Sequence, residues 1–236
     1  MTYRPLETFR QLFDGRQYLH RRSTLGDKVA QELYEDLYAL GRSPKFVERV
    51  KGGQRVLNVA NRRVGIRARR GDGTFGETVP GVAVIVDPGY AVARGPIATI
   101  EIGAETKILA KAMIKQIDRV GGDLVRQVEE FRRASRLVLC VGIVGINQAP
   151  QYTSYEGERE YRTDGSATYR HPVQEARDAE ARLLASVRPQ FDEFLVLNFC
   201  ATNELPFAFR WANADSTRQE YGAVLTRLSV EYERRF

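Results

Sequence analysis

Asp87 and Glu101, each at or in a short apolar run and followed by closely spaced lysines, are the residues of this chain best suited to chemistry. Asp87 closes the run Val82-Ala83-Val84-Ile85-Val86 in the turn Asp87-Pro88-Gly89. Glu101 sits inside the apolar run 97–102. A carboxylate in such a place is costly unless it is paired or binds a metal. Two carboxylates brought together supply hard oxygen ligands for Mg²⁺, which prefers carboxylate and water coordination and can activate a bound water while polarising a phosphate. Lys107, Lys111 and Lys115 follow at once and offer positive charge for the same centre.

The elements that must position these residues follow from periodicity and turn signals. Residues 27–40 carry Val29, Leu33, Leu37 and Leu40 at helical spacing and stop at Gly41 and Ser43-Pro44. Glu32, Glu35 and Asp36 are expected on other faces of that helix, in solvent or as an added carboxylate. Strands are expected at 56–60 and 64–69, then at 82–86 and 97–102. An amphipathic helix over 108–134 aligns Met113, Ile117, Val120, Leu124, Val128 and Phe131, with a bend or break at Gly121-Gly122. The apolar run 137–144 fits a central strand covered on both faces. A helix from Pro172 to about residue 187, a strand over 191–201 and a helix over 216–233 complete the order.

Composition sets wider bounds. The 236 residues with 43% hydrophobic content suffice for one α/β domain, 1–236, with its core over 27–201 and a basic N-terminal extension over 1–26. No apolar run reaches the ~20 residues that span a bilayer, so a soluble cytoplasmic protein with no membrane partner is expected. Cys140 and Cys200 lie in strand-like runs and are expected as reduced thiols. The net charge of +6 suits a polyanionic partner. Strand alternation would put Arg63, Arg67 and Arg69 on one face, fit for phosphate contact or for guarding a sheet edge. Arg4, Arg10, Arg16, Arg21 and Arg22 form a second basic cluster. The segment 147–170 holds four tyrosines without periodicity and is expected to be a long loop, with Tyr155 and Arg162 available to bases or phosphates.

Other chemistries have little material. Gly71-Asp72-Gly73-Thr74-Phe75-Gly76 matches a dinucleotide fingerprint in letters but has no following helix, and is expected to be a hairpin loop. With only His20 and His171, a histidine-metal or Ser-His-Asp site is disfavoured.

In element order, and in Asp87 and Glu101, the chain resembles the PD-(D/E)XK nuclease superfamily over about residues 27–201. The resemblance implies a restriction-endonuclease-like fold, a mixed central β-sheet flanked by helices, with Asp at the end of the second core strand and (D/E)-X-K on the third. It implies a Mg²⁺-dependent DNA endonuclease, of type II restriction enzymes most of all, working as a homodimer on double-stranded DNA. Asp87, Glu101 and the Ile102 carbonyl would hold the metal. One position departs from the pattern, since Gly103 stands where the family has Lys. Glu105 and Lys107 share a face with Glu101 if the strand continues, and Lys111 lies a helical turn beyond Lys107. Alternatively, Glu105-Thr106-Lys107 is itself the motif and Glu101 an extra carboxylate. Gly103 also leaves room for a protein of this fold that binds nucleic acid without cutting it, and a structural subunit is a third possibility.

Overall fold

A computed structural model describes residues 2–19, 25–58, 72–111, 113–156, 159–166 and 170–236. Among these, seven strands form one mixed sheet in the order β3-β1-β2-β4-β5-β8-β9. They are β1 (Arg55–Asn58), β2 (Gly73–Glu77), β3 (Arg94–Gly95), β4 (Ile102–Leu109), β5 (Leu139–Asn147), β8 (Glu193–Ala201) and β9 (Phe209–Trp211), with β6 (Tyr152–Glu156) and β7 (Arg159–Thr163) forming a separate ribbon. Strands β1, β2 and β4 run antiparallel, and β4, β5 and β8 run parallel. The parallel pairs are joined through α4 (Met113–Ala134) and α5 (Pro172–Arg182), because parallel neighbours need a crossover.

The sheet is covered on both faces, making an α/β protein of three layers. On one face Phe9, Leu33, Tyr34, Leu225 and Tyr232 pack on Ile102, Ala104, Val141 and Leu197, from α1 (Arg4–Arg10), α2 (Leu25–Leu40) and α6 (Ala214–Arg235). On the other, Ile117, Leu124, Phe131 and Ala179 of α4 and α5 pack on Leu109, Cys140 and Val144. Burial on both faces explains why all nine residues of β5 are buried and why its sequence is continuously apolar. Helix α4 runs unbroken through Gly121-Gly122, and a Cβ on Gly121 would lie 3.2 Å from Val187 in the π-helical turn Leu183–Val187.

Several expectations change. The segment 82–86 is not a buried strand: only Ile85 pairs, in an isolated bridge with Arg94, and Val82, Ile85 and Val86 are exposed. The region 97–101 is not a strand either, since β4 begins at Ile102. Of the stretch 71–76, expected as a hairpin loop, residues 73–76 belong to β2 and are all buried. Their glycines serve close approach: a Cβ on Gly73 would lie 2.2 Å from Ala30 Cβ, and one on Gly76 1.8 Å from the Thr99 carbonyl oxygen.

The N-terminal residues are part of the core rather than an extension. Leu6, Phe9, Phe13 and Tyr18 are buried, and Phe13 stacks on Tyr18 with ring centroids 4.5 Å apart. The acidic residues of α2 are buried too, and each is an acceptor for another segment. Asp36 accepts from the Arg4 N–H at 3.1 Å, Glu35 from the Ala91 and Val92 N–H groups at 2.9 and 2.6 Å, and Glu32 from the Tyr90 hydroxyl at 2.7 Å. The segment 147–170, expected without structure, contains the β6–β7 ribbon. The expected strand 64–69 and its Arg63, Arg67 and Arg69 lie outside the described residues, as do His20, Arg21, Arg22 and Tyr169. Among the described residues no helix is long and apolar enough to cross a membrane.

Candidate active site

The antiparallel register of β2 on β4 decides which carboxylates meet. Gly73 pairs with Ala104 at the end of the ladder, and Asp72, the residue just beyond it, lies against Glu105 and Thr106. The Asp72 carboxylate accepts the Thr106 N–H at 2.7 Å, and the Asp72 N–H donates to Glu105 Oε2 at 3.3 Å. Lys107, two residues along the same face of β4, donates from Nζ to Glu105 Oε1 at 2.6 Å.

Asp72, Glu105 and Lys107 thus converge beside the first turn of α2. A Cβ on Gly26 would lie 2.0 Å from Asp72 Cγ, so the absence of a side chain there lets helix and carboxylate meet. Asp72 and Lys107 border a cleft of about 460 Å³ whose walls also include Tyr18, Thr106, Lys111, Gln116, Arg119 and Asp123, with Glu105 buried behind them.

Two carboxylates here share one ammonium. Burial, and then the charge of Glu105, push the Asp72 carboxyl up to about 6. Burial would pull the Lys107 ammonium down, but the charges of Glu105 and Asp72 outweigh it and hold Lys107 above the usual lysine range. Lys107 is therefore a fixed positive charge at neutral pH. Among the described residues no three His, Cys, Asp or Glu side chains converge as a metal site. Two carboxylates and a carbonyl with water in the remaining positions nonetheless suit Mg²⁺, which is usually bound by one or two carboxylates. The N–H and C=O of a strand residue point to the same side, so Thr106 would turn its carbonyl where its N–H already meets Asp72.

Compared with known proteins, the chain matches no family model, no curated protein and no solved structure.

The structure does not bring Asp87 and Glu101 together. Asp87 sits in an exposed turn and pairs with Arg94, through Nη2 at 2.6 Å and through Nε, with Gln31 at 3.3 Å. That pairing, through the hydrogen bond from Arg94, holds the Asp87 carboxyl below the usual range. Glu101 is buried among Arg55 at 2.5 Å, Arg49 at 3.5 Å and the Tyr232 hydroxyl, on β1, α3 (Pro44–Lys51) and α6. Its backbone continues the ladder, donating to Phe75 and accepting from Leu139, both at 2.9 Å. Glu101 therefore ties three elements at the entrance to β4, while Gly103, Glu105 and Lys107 face α4. Ile102 is wholly buried in the core between them.

Phe131 explains Gly103. A Cβ there would lie 2.5 Å from Phe131 Cδ2, so α4 occupies the space that a lysine at position 103 would need. Two residues further, Lys107 reaches the cleft.

Lys111 also lines the cleft and links it to the ribbon. Its Nζ donates to Ser154 Oγ and lies 5.8 Å from the centroid of the Tyr161 ring. Strand β7 is exposed along Arg159, Glu160, Tyr161 and Arg162. Arg162 is balanced by Asp164 at 3.7 Å and Glu204 at 3.8 Å, and Tyr155 on β6 is half-buried. In the N-terminal basic cluster, Arg4 meets Glu32 and Glu35, and Arg10 meets Glu7 and Asp14, so their charges are locally offset.

Sequence reasoning missed Asp72. It sits in a glycine-rich stretch that reads as loop, and the available signal was the pair Asp72 and Glu105-Thr106-Lys107 flanking two short runs that the sheet could oppose.

Proposed function

We propose that this chain is a Mg²⁺-dependent endonuclease of the PD-(D/E)XK type that hydrolyses phosphodiester bonds of double-stranded DNA, in the manner of a type II restriction enzyme acting as a homodimer. The observation that carries the proposal is the juxtaposition of Asp72 with Glu105 and Lys107 at the end of the β2–β4 ladder. A carboxylate beside one strand and E-x-K on its antiparallel neighbour, followed by a crossover helix to a parallel strand, matches what the resemblance implies, except that Asp72 precedes its strand instead of ending it. It replaces the pair Asp87 and Glu101 with the second of the two motif placements open in the sequence.

Asp72 and Glu105 would hold the Mg²⁺, with the Thr106 carbonyl in the role the resemblance first gave to Ile102. When bound, the cation supplies a polarised phosphate and an activated water. The residues of the chain supply the rest. Lys107, charged and fixed by Glu105, stands where it can offset negative charge developing on the phosphate. Lys111 and Arg119 in the cleft wall add positive charge along the path of a backbone. Tyr155 and Arg162 are carried by the ribbon that Lys111 joins to the cleft, suited to contact DNA beside the cut. A non-cutting relative was favoured only by Gly103, and Phe131 accounts for that residue.

The test is incubation of the protein with plasmid and phage DNA in Mg²⁺ or in EDTA. Discrete fragments formed only with the cation support the proposal. DNA bound in a salt-dependent way but left intact with Mg²⁺ and Mn²⁺ would make this a binding protein instead.

A further inference from the structure

The segment 82–86 has the composition of a buried strand but not the burial. Val82, Ile85 and Val86 are 45%, 54% and 65% exposed. Ile85 exchanges both backbone hydrogen bonds with Arg94, each at 2.7 Å, which lays the segment along the outer side of β3 at the end of the sheet. Peptide groups alternate in direction along a strand, so those of Val84 and Val86 turn outward, and among the described residues neither has a backbone partner. The Asp87–Arg94 ion pair holds the segment in this position. Edges of this kind are ordinarily guarded by charges or proline within the pairing stretch, yet residues 81–86 contain neither.

We propose that this edge is a homodimer interface, in which the 84–86 segments of two copies pair antiparallel about a twofold axis at Ile85. The hydrogen-bonding pattern permits that register. Val84 would face Val86 of the second copy as a hydrogen-bonded pair, and the reciprocal pair doubles this to four backbone bonds. Ile85 would face its own counterpart in the closer, non-hydrogen-bonded position. The exposed side chains of Val82, Ile85 and Val86 would then be covered.

A second copy is the occupant that the chain's own features favour. The edge is self-complementary, and pairing it with itself closes the assembly. Pairing it with β9, at the opposite end of the sheet, would build an open chain of molecules. That far edge is three residues long and exposes Arg210. The net charge of +6 opposes association of two copies over most of the surface, but the run 79–86 is uncharged and escapes that repulsion. The inference does not depend on the nuclease reading, and its test involves no DNA.

Sedimentation equilibrium of the wild-type protein is expected to show a dimer at micromolar concentration. Val86→Lys, at a site exposed in the monomer, is expected to weaken association at least 100-fold with an unchanged melting temperature at subunit concentrations where both proteins are monomers. A second variant, Ile85→Cys in a Cys200→Ser background, is expected to cross-link on mild oxidation, since the two Cα atoms would lie at a distance a disulfide spans. Leu205→Cys, more exposed than Ile85 but remote in sequence, is expected not to cross-link. A wild-type monomer at tens of micromolar would overturn the proposal. So would a dimer that persists in Val86→Lys, or one in which Ile85→Cys fails to cross-link.

Discussion

Asp72 lies against Glu105 just past the end of the β2–β4 ladder, with its carboxylate on the Thr106 N–H and its own N–H turned to the Glu105 carboxylate. A half-buried carboxylate and a buried one held this way repel each other, and Lys107 offsets only part of that repulsion. The consequences can be measured.

The first concerns pH. The Asp72 carboxyl is raised to about 6 in the fold, above its ordinary value, so folding favours its protonated form. That contribution is fully present below the unfolded value and is lost as pH rises through about 6. Asp72→Asn keeps an oxygen for the Thr106 N–H and removes the charge. It is expected to stabilise the protein by about 2 kcal/mol at pH 8 and by little at pH 4. Denaturant unfolding of both proteins at the two pH values checks this, and the comparison cancels Asp36, which burial also raises to about 6.

Mg²⁺ should act on the same pair. Ten millimolar Mg²⁺ is expected to raise the melting temperature of the wild type at pH 8 and to lose that effect below pH 6, as the proton competes for Asp72. Asp72→Asn and Glu105→Gln are expected to show a much smaller rise. An equal rise in all three would place the cation elsewhere.

Glu101 is expected to matter for stability. Removing it leaves Arg55 and Tyr232 in a buried site without their acceptor. Glu101→Ala is expected to cost about 3 kcal/mol in denaturant unfolding, while its rate of DNA cleavage per folded molecule at low temperature stays within a few-fold of wild type.

Gly103 gives a steric test. Gly103→Ala puts a methyl group 2.5 Å from the ring of the buried Phe131 and is expected to cost about 1–3 kcal/mol, the range for overfilled cores. Gly103→Ala combined with Phe131→Leu is expected to cost less than the sum of the two single variants, as calorimetry of the set will show.

Much of the fold is legible in the sequence wherever one physical signal dominates. The 3.6-residue apolar spacing of α2 and α4 and the unbroken apolar run of β5 mark helices and a doubly covered strand. The site was half legible, because Glu105-Thr106-Lys107 could be recognised as a motif but not chosen over Glu101. What hid Asp72 was β2, whose Gly73 and Gly76 look like turn residues and are there so that α2 and the 97–101 segment can come close. The error at 82–86 has a different origin. Its apolar composition implies burial, but the single chain provides no layer to cover it. Glu32, Glu35 and Asp36 misled in the opposite sense, since they are buried to receive backbone and hydroxyl donors that no local pattern discloses.

The central claim is that Asp72, Glu105 and Lys107 form the catalytic centre while Asp87 and Glu101 do not belong to it. Its most direct test is the single-turnover rate of plasmid cleavage in Mg²⁺ for Asp72→Ala, Glu105→Ala, Lys107→Ala, Asp87→Ala and Glu101→Ala, each normalised to its folded fraction. The first three are expected to lose at least 1,000-fold of a rate that the last two largely keep, by the usual scale of losing an electrostatic or ligating group. Cleavage that survives in Asp72→Ala or Glu105→Ala, or that disappears in a folded Asp87→Ala, would contradict the account.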